Sequence, residues 1–240
     1  MQRFIVRDVQ AALGGVRGRV LDVGCGGRPY EPFVEPGGRY FGLDAQRTAA
    51  SVPDAWGSAV RLPIADRSID AVLCTQVLEH VPDPPAVILE AARVLRPGGR
   101  LILTAPQAWC LHEAPHDYFR FTRYGLEALC RSAGLAPELV RPQGGFGAGI
   151  GTSLIMFVGT LALRGVSRLA AASADDRAGR TAPPREAPPW SRVLWPLRLP
   201  MAVLNLAFAA LDLLPQGGEF AVNHIVVARK GDGPSGGRAA

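Results

Sequence analysis

The octet Val20–Gly27, VLDVGCGG, constrains this chain more than any other stretch. Val20, Leu21 and Val23 read as a buried strand, which Gly24, Gly26 and Gly27 then turn sharply. Only glycine lets a backbone turn so tightly and approach a ligand without a Cβ in the way. Asp22 stands two positions before the first of these glycines. A strand running into such a turn is where open α/β sheets bind nucleotides, so an adenosine-containing cofactor is expected here. A dinucleotide turn reads G-x-G-x-x-G; Gly24 and Gly26 fit, but Pro29 holds the third position, and that fingerprint fails.

Further segments follow in a fixed order. Tyr40–Ala45, YFGLDA, is a second apolar strand that ends on Asp44, a carboxylate suited to both ribose hydroxyls of an adenosine. Ile69–Pro84, IDAVLCTQVLEHVPDP, gives a strand and the tract Val77-Leu78-Glu79-His80. Ala86–Arg96 then reads as a helix, with Asp83 as its N-cap, Pro84 and Pro85 in its first turn and Pro97-Gly98-Gly99 as its stop. Leu95–Thr104, LRPGGRLILT, supplies the next strand.

The order hydrophobic-Asp-x-Gly-Cys-Gly, strand, LEHV, helix, RVLRPGG, strand resembles the class I S-adenosylmethionine-dependent methyltransferases, in particular the type-11 methyltransferase-domain family. His112–Leu126, HEAPHDYFRFTRYGL, resembles a segment of a subgroup associated with glycan and cell-surface polysaccharide assembly and, more distantly, of quinone-biosynthesis methyltransferases. The resemblance covers roughly residues 18–140 and the strand near 220–230. It implies S-adenosylmethionine as cofactor, with Asp22, Gly24, Cys25, Gly26, Asp44, Ala45, Ser58, Ala59 and Gln76 around it. The glycines would pass beneath the amino-acid end, and Asp22 would fix the loop and the ammonium group. Relatives carry an acid before Leu-Pro to meet the adenine amino group; here Ser58 stands there, able to accept that bond only without charge.

The fold expected is α/β: a seven-stranded Rossmann-like sheet, mostly parallel with its last strand antiparallel, and a helical insertion between strands six and seven. Strands are expected near 19–24, 40–44, 57–60, 68–74, 100–105, 135–141 and 220–230, alternating with helices, one of them over 122–133. An N-terminal amphipathic helix should pack on the sheet through Phe4, Val9 and Leu13. Residues 1–145 and 219–231 then form the core, 146–218 the insertion and 232–240 a disordered tail. No apolar run near Met1 is long enough for a signal peptide, so the core is expected in the cytoplasm.

The insertion is apolar. Pro142–Leu163 holds 22 residues without a charge, and Leu199–Leu214 carries only Asp212. Trp190, Arg192, Trp195 and Arg198 flank the second stretch, as a membrane–water boundary favours, and the arginine-rich connector Arg164–Arg192 resists translocation. Two helices lying shallowly on the inner membrane face are expected. A lid or oligomer interface is the plainer alternative, and a two-span hairpin the third.

Composition narrows the partners. The net charge is +5, but Lys230 is the only lysine and the arginines are scattered without interleaved aromatics, which argues against nucleic acid. Cys25, Cys74, Cys110 and Cys130 lie too far apart for a metal knuckle or disulfide framework. For chemistry the candidates are His112 and His116, in the loop after the fifth strand, as base or substrate ligand. His80 fits either a packing or a chemical role, His224 a structural one, and Arg120 and Arg123 could hold an anionic group. A His112/His116 metal pair lacks a third ligand, and no metal is expected. The expected reaction is methyl transfer to a small or lipid-linked acceptor, first a hydroxyl of a glycan or cell-envelope intermediate. A quinone-type ring is the alternative, and a catalytically silent adaptor that keeps the fold is the third reading.

Overall fold

Alternation along the strands sorts the core into two layers. In the computed structural model, which describes residues 2–46, 50–175, 208, 210–212 and 219–232, successive strand residues go to opposite faces. Val20, Ala71, Leu73, Ile102, Ile225 and Val227 pack on one side, and Leu21, Val23, Val72, Cys74, Leu101, Leu103, Val226 and Ala228 on the other. That period of two is what a sheet covered on both faces demands.

Seven strands make the sheet: β1 (Arg19–Val23), β2 (Arg39–Asp44), β3 (Ala55–Trp56), β4 (Ile69–Thr75), β5 (Leu95–Pro106), β6 (Leu135–Gln143) and β7 (Asn223–Lys230). Their order is β3-β2-β1-β4-β5-β7-β6. β1 to β5 run parallel, and β7 lies antiparallel between β5 and β6. The sheet is therefore the one expected from the sequence. The carboxyl ends of β1, β2 and β4 meet at one edge, where open α/β sheets take their ligands.

Three helices belong with this sheet: α1 (Gln2–Leu13), α2 (Pro84–Val94) and α3 (Arg123–Ser132). Ile5, Val9 and Leu13 of α1, four apart, are its buried stripe, so Ile5 rather than Phe4 leads it. α2 begins as expected, the Asp83 carboxylate accepting the Ala86 N–H at 3.2 Å. α3 is capped by the Thr122 hydroxyl, which accepts from Gly125.

Several details depart from expectation. α2 ends at Val94, and Leu95 enters β5 opposite Ile69, so Pro97-Gly98-Gly99 lies within a strand. Full burial of Leu95 and its pairing with Ile69 outweigh the Pro-Gly-Gly stop. The strand expected at 57–60 is instead Ala55–Trp56, and Ser58 makes only an isolated bridge to Arg61. Among the described residues no α-helix joins β1 to β2, β2 to β3 or β3 to β4. Tyr30, Phe33 and Val34, around a 3₁₀ turn, together with α1 cover that face instead.

The chain divides into two compact units, one of Met1–Gly144 with Ala221 onward and the other of Gly145–Phe220. The second is built on α4 (Phe146–Asp175). Its first N–H groups are held by the Asp212 carboxylate, which accepts from Gly147 at 2.7 Å and Ala148 at 3.0 Å. A Cβ on Gly147 would fall 1.9 Å from the Phe208 carbonyl oxygen, so this glycine serves close packing. Among the described residues no helix is long and apolar enough to cross a membrane. Most of the connector Arg164–Arg192, most of the second apolar stretch with its flanking Trp and Arg residues, and the tail beyond Asp232 lie outside the described residues.

Candidate active site

The glycine turn after β1 is fastened to the tip of β2. Gly24 and Cys25 donate their N–H groups to the Leu43 carbonyl at 2.8 and 3.2 Å. The Asp44 carboxylate accepts from Gly26 N–H at 2.9 Å and from Gln46 N–H at 2.9 Å. Gly24 has φ +75, and a Cβ there would sit 2.4 Å from a methyl of Val77. Here the turn requires glycine twice over, by conformation and by space.

Beside this turn opens a cavity of about 450 Å³. Gly24, Gly26, Asp44, Ala45, Ser58, Ala59 and Gln76 line it, all among the residues singled out from the sequence. Asp22 and Cys25 do not. Cys25 is buried against Gly42, and burial pushes its thiol up to about 11. Asp22 is fully buried behind the turn and accepts a short hydrogen bond from the Tyr40 hydroxyl through Oδ2. Its Oδ1 has no partner. Burial raises its pKa to about 7, against the lowering effect of the Tyr40 bond and with a further push from Asp44.

Gln76 carries a left-handed backbone, φ +56, at the end of β4. Its side-chain amide turns into the protein, donating to Thr104 Oγ1 at 3.1 Å and Asn223 Oδ1 at 2.9 Å. Asn223 donates in turn to Gln143, and Gln143 to Asp8 at 3.0 Å, which pairs with Arg141. A buried polar chain thus ties the cavity wall to α1. Neither composition nor spacing along the sequence announces it.

The opposite wall brings a correction. The imidazole that lines the cavity is His80, joined by Glu113; neither His112 nor His116 lines it. The loop after β5 folds back on the 3₁₀ turn Leu78–His80, because the Glu79 carbonyl accepts the N–H groups of Tyr118 (2.8 Å) and Phe119 (3.3 Å). His112 therefore stands behind His80, ring against ring at 4.7 Å, and His116 faces the Tyr118 hydroxyl at 3.1 Å. Arg120, a candidate anion ligand, is spent inside the loop. It holds Asp117 with two bonds of 2.6 and 2.8 Å and donates to the carbonyls of Trp109, Cys110 and Phe119. That pairing keeps the Asp117 carboxyl well below the usual carboxylate range. Arg123 stacks over the Tyr124 ring, 4.6 Å from its centroid.

Glu79 is the residue that sequence reasoning passed over. It is fully buried, neither carboxylate oxygen has a hydrogen-bond partner, and burial raises its pKa to about 7. An acid in an otherwise apolar tract, Val77-Leu78 before it and Val81 after His80, was the available signal. His224, expected to be structural, is buried in β7 with Nε2 2.7 Å from Gln107 Oε1, and burial lowers its pKa.

The comparisons agree with this geometry. Residues 21–103 match the family described as "Methyltransferase domain". The chain is 34% identical over 136 residues to a ubiquinone biosynthesis O-methyltransferase of Alkalilimnicola ehrlichii, covering 50% of this chain and 53% of that protein. It is 32% identical over 157 residues to the protein of the same name from Ralstonia nicotianae, covering 51% and 65%. The chain thus spans roughly half to two thirds of the curated relatives it matches. A solved S-adenosylmethionine-dependent methyltransferase of Archaeoglobus fulgidus superposes with a TM-score of 0.55 over 94% of this chain and 91% of that one; at 13% identity this bears on fold alone. Glycine turn, acid-tipped second strand and family match converge: the chain carries a class I S-adenosylmethionine-dependent methyltransferase domain.

Proposed function

We propose that this protein methylates an oxygen of a small or lipid-partitioned acceptor, a quinone-type ring hydroxyl ahead of a glycan hydroxyl. The glycan reading rested on the HDYFRFT segment, and that segment supplies the Asp117–Arg120 clamp rather than a sugar or phosphate ligand. Relatives named for O-methylation in ubiquinone biosynthesis favour the ring acceptor. The observation that carries the reading is one cavity with the glycine turn and Asp44 at one end and His80 with Glu113 at the other.

The residues present fit the cofactor. At Gly24 any side chain would collide with Val77, so the turn keeps the backbone bare where a ligand approaches. When bound, S-adenosylmethionine supplies a methyl group on a sulfonium, open to in-line displacement. Asp44 spends one lone pair of each oxygen on backbone N–H groups and keeps the others for ribose hydroxyls. Asp22, with an unpartnered Oδ1 beneath the turn, ionises as a ligand's ammonium group approaches and so supplies negative charge toward it. Ser58 and Ala59 border the adenine end. Alignment of the acceptor is the larger catalytic contribution, up to roughly 7–11 kcal/mol for well-oriented groups. The acceptor's hydroxyl proton leaves to the imidazole–carboxylate cluster of His80 and Glu113, with His112 behind and His116 holding His80 through its carbonyl.

In this reading residues 1–145 with 219–231 are the catalytic core, and 146–218 meets a membrane surface or a second subunit at the cytoplasmic face. The support is α4, whose Leu154, Met156, Phe157, Val158 and Leu161 are exposed. The test is methyl transfer from labelled S-adenosylmethionine to a catechol-type ring acceptor and, separately, to a glycan hydroxyl, alongside calorimetry with S-adenosylhomocysteine. Ring methylation with the parent and at least a tenfold loss of S-adenosylhomocysteine affinity in Asp44→Ala are expected. Transfer to the glycan alone would replace the acceptor, and unchanged affinity in Asp44→Ala would remove the assignment of the ribose site.

A further inference from the structure

Two histidines at the His80 wall of the cavity have their tautomers fixed from behind. Nδ1 of His80 lies 2.7 Å from the His116 carbonyl oxygen, which can only accept, so Nδ1 carries the proton. Nδ1 of His112 lies 3.2 Å from Asp117 Oδ2 and 3.3 Å from the Cys110 carbonyl oxygen, again two acceptors. Each neutral ring is left with a bare Nε2. Nδ1 bonds to carbonyls and carboxylates are how proteins aim histidines at a cation. Beside them stands Glu79, fully buried with neither carboxylate oxygen hydrogen-bonded, a condition unfavourable for an unpaired charge.

Distances separate the two ways of satisfying this group. Nε2 of His80 is 3.9 Å from Glu79 Oε1 and 3.9 Å from Glu113 Oε2. The donor atoms of Glu79, His80 and His112 all fall within 4.8 Å of one another. A shared proton would draw nitrogen and oxygen to about 2.7–2.9 Å. Donors that share a tetrahedral cation, each about 2.0–2.2 Å from it, stand about 3.3–3.6 Å apart, so the 3.9 Å pairs here need to close by only a few tenths of an ångström to hold one.

We propose that Glu79, His80 and His112 form a binding site for a divalent transition-metal cation of the Zn²⁺ type, with Glu113 as an exchangeable fourth donor. Two imidazoles favour such an ion over Mg²⁺ or Ca²⁺, which take oxygen ligands. Glu113 is suited to exchange: its side chain is 55% exposed and sits on the loop. His80 and Glu113 both line the cavity, so the cation stands where an acceptor enters. The acceptor hydroxyl replaces Glu113 on the cation, which lowers its pKa. Its proton passes to the freed Glu113 carboxylate and its electron pair stays on oxygen. That role rests on the methyl-transfer reading; the cation site itself does not.

The full chain is stripped with a chelator and titrated with Co²⁺ as an optical probe, then with competing Zn²⁺, while S-adenosylhomocysteine affinity is measured separately by calorimetry. One Co²⁺ per chain, displaced by Zn²⁺, is expected. Glu79→Gln and His112→Gln should each weaken Co²⁺ binding at least tenfold. Should either fail to fold, Glu113→Gln, on the exposed loop, should fold, weaken Co²⁺ about threefold and leave S-adenosylhomocysteine affinity unchanged. A parent chain without a Co²⁺ spectrum overturns the site, as does equal Co²⁺ affinity in the parent and every folded variant. Loss of S-adenosylhomocysteine binding in the parent would instead strike the methyltransferase reading alone.

Discussion

At the β1–β2 end of the cavity the polar groups come from backbone and from residues on two adjacent strand tips. At the β4–β5 end they come from side chains of a 3₁₀ turn and a loop more than thirty residues later in the chain. The first end is stiff by covalent geometry, a left-handed glycine locked under Val77 and a carboxylate holding two N–H groups. The second is held by ion pairs and carbonyls, with Arg120 as its knot. A cofactor shared by a whole family fits a cradle made of backbone, whereas an acceptor peculiar to one member fits an exchangeable loop.

The sharpest way to break this contrast is at Gly24. Gly24→Val forces a side chain into Val77 and imposes φ +75 on a β-branched residue. S-adenosylhomocysteine affinity should fall more than a hundredfold, about 3 kcal/mol or more, while far-ultraviolet circular dichroism stays that of the parent. A variant that folds and still binds within tenfold would show that the turn does not approach the ligand.

The same contrast governs what could be read from the chain. VLDVGCGG and YFGLDA carry their geometry within a few residues, so the cavity-lining positions Gly24, Gly26 and Asp44 were legible, as was a mostly parallel seven-stranded sheet with its last strand antiparallel. Which histidine faces the cavity was not legible. It depends on the Glu79 carbonyl capturing the N–H groups of Tyr118 and Phe119, a tertiary bond with no sequence signature. Cys25 and Asp22 sit in the right motif yet are buried behind the cavity, Cys25 packed on Gly42 and Asp22 bonded to the Tyr40 hydroxyl, tertiary partners that the motif does not announce. That the described residues after β1 and β2 hold no α-helix was equally hidden, since α1 from the N-terminus covers part of that face.

A smaller effect concerns Asp22, and its sign is set by burial. In the unfolded chain this acid titrates near 3.8, and in the native protein near 7. Between those values the native state holds a proton that the unfolded state has lost, so stability falls as pH rises through the window and the full cost applies above it. Asp22→Asn removes the cost, on the order of 3 kcal/mol at pH 8, and leaves the Tyr40 hydroxyl an acceptor. Without cofactor, the Asp22→Asn variant should melt several degrees above the parent at pH 8 and close to it at pH 4. Equal differences at both pH values would mean that Asp22 is already ionised in the native state. Because burial raises Glu79 in the same direction, the Asp22→Asn variant keeps part of the parent's pH dependence.

The smallest expected effect on the cofactor is the most discriminating, since it acts at the other end. Arg120→Met leaves the Asp117 carboxylate, 1% exposed, with only His112 beside it and releases three carbonyls. Breaking such a pair costs roughly 3 kcal/mol when buried, and the partly exposed guanidinium brings this nearer 2 kcal/mol. The loop then loses the frame that sets His112 and, through the His116 carbonyl, His80. S-adenosylhomocysteine affinity should stay within threefold of the parent, while turnover of a ring acceptor falls at least tenfold. If cofactor affinity instead dropped in step with turnover, the two ends of the cavity would be one cooperative unit. The division between a stiff cradle and an exchangeable wall would then be wrong, because a loop clamp more than seventy residues from Asp44 would be setting the geometry of the glycine turn.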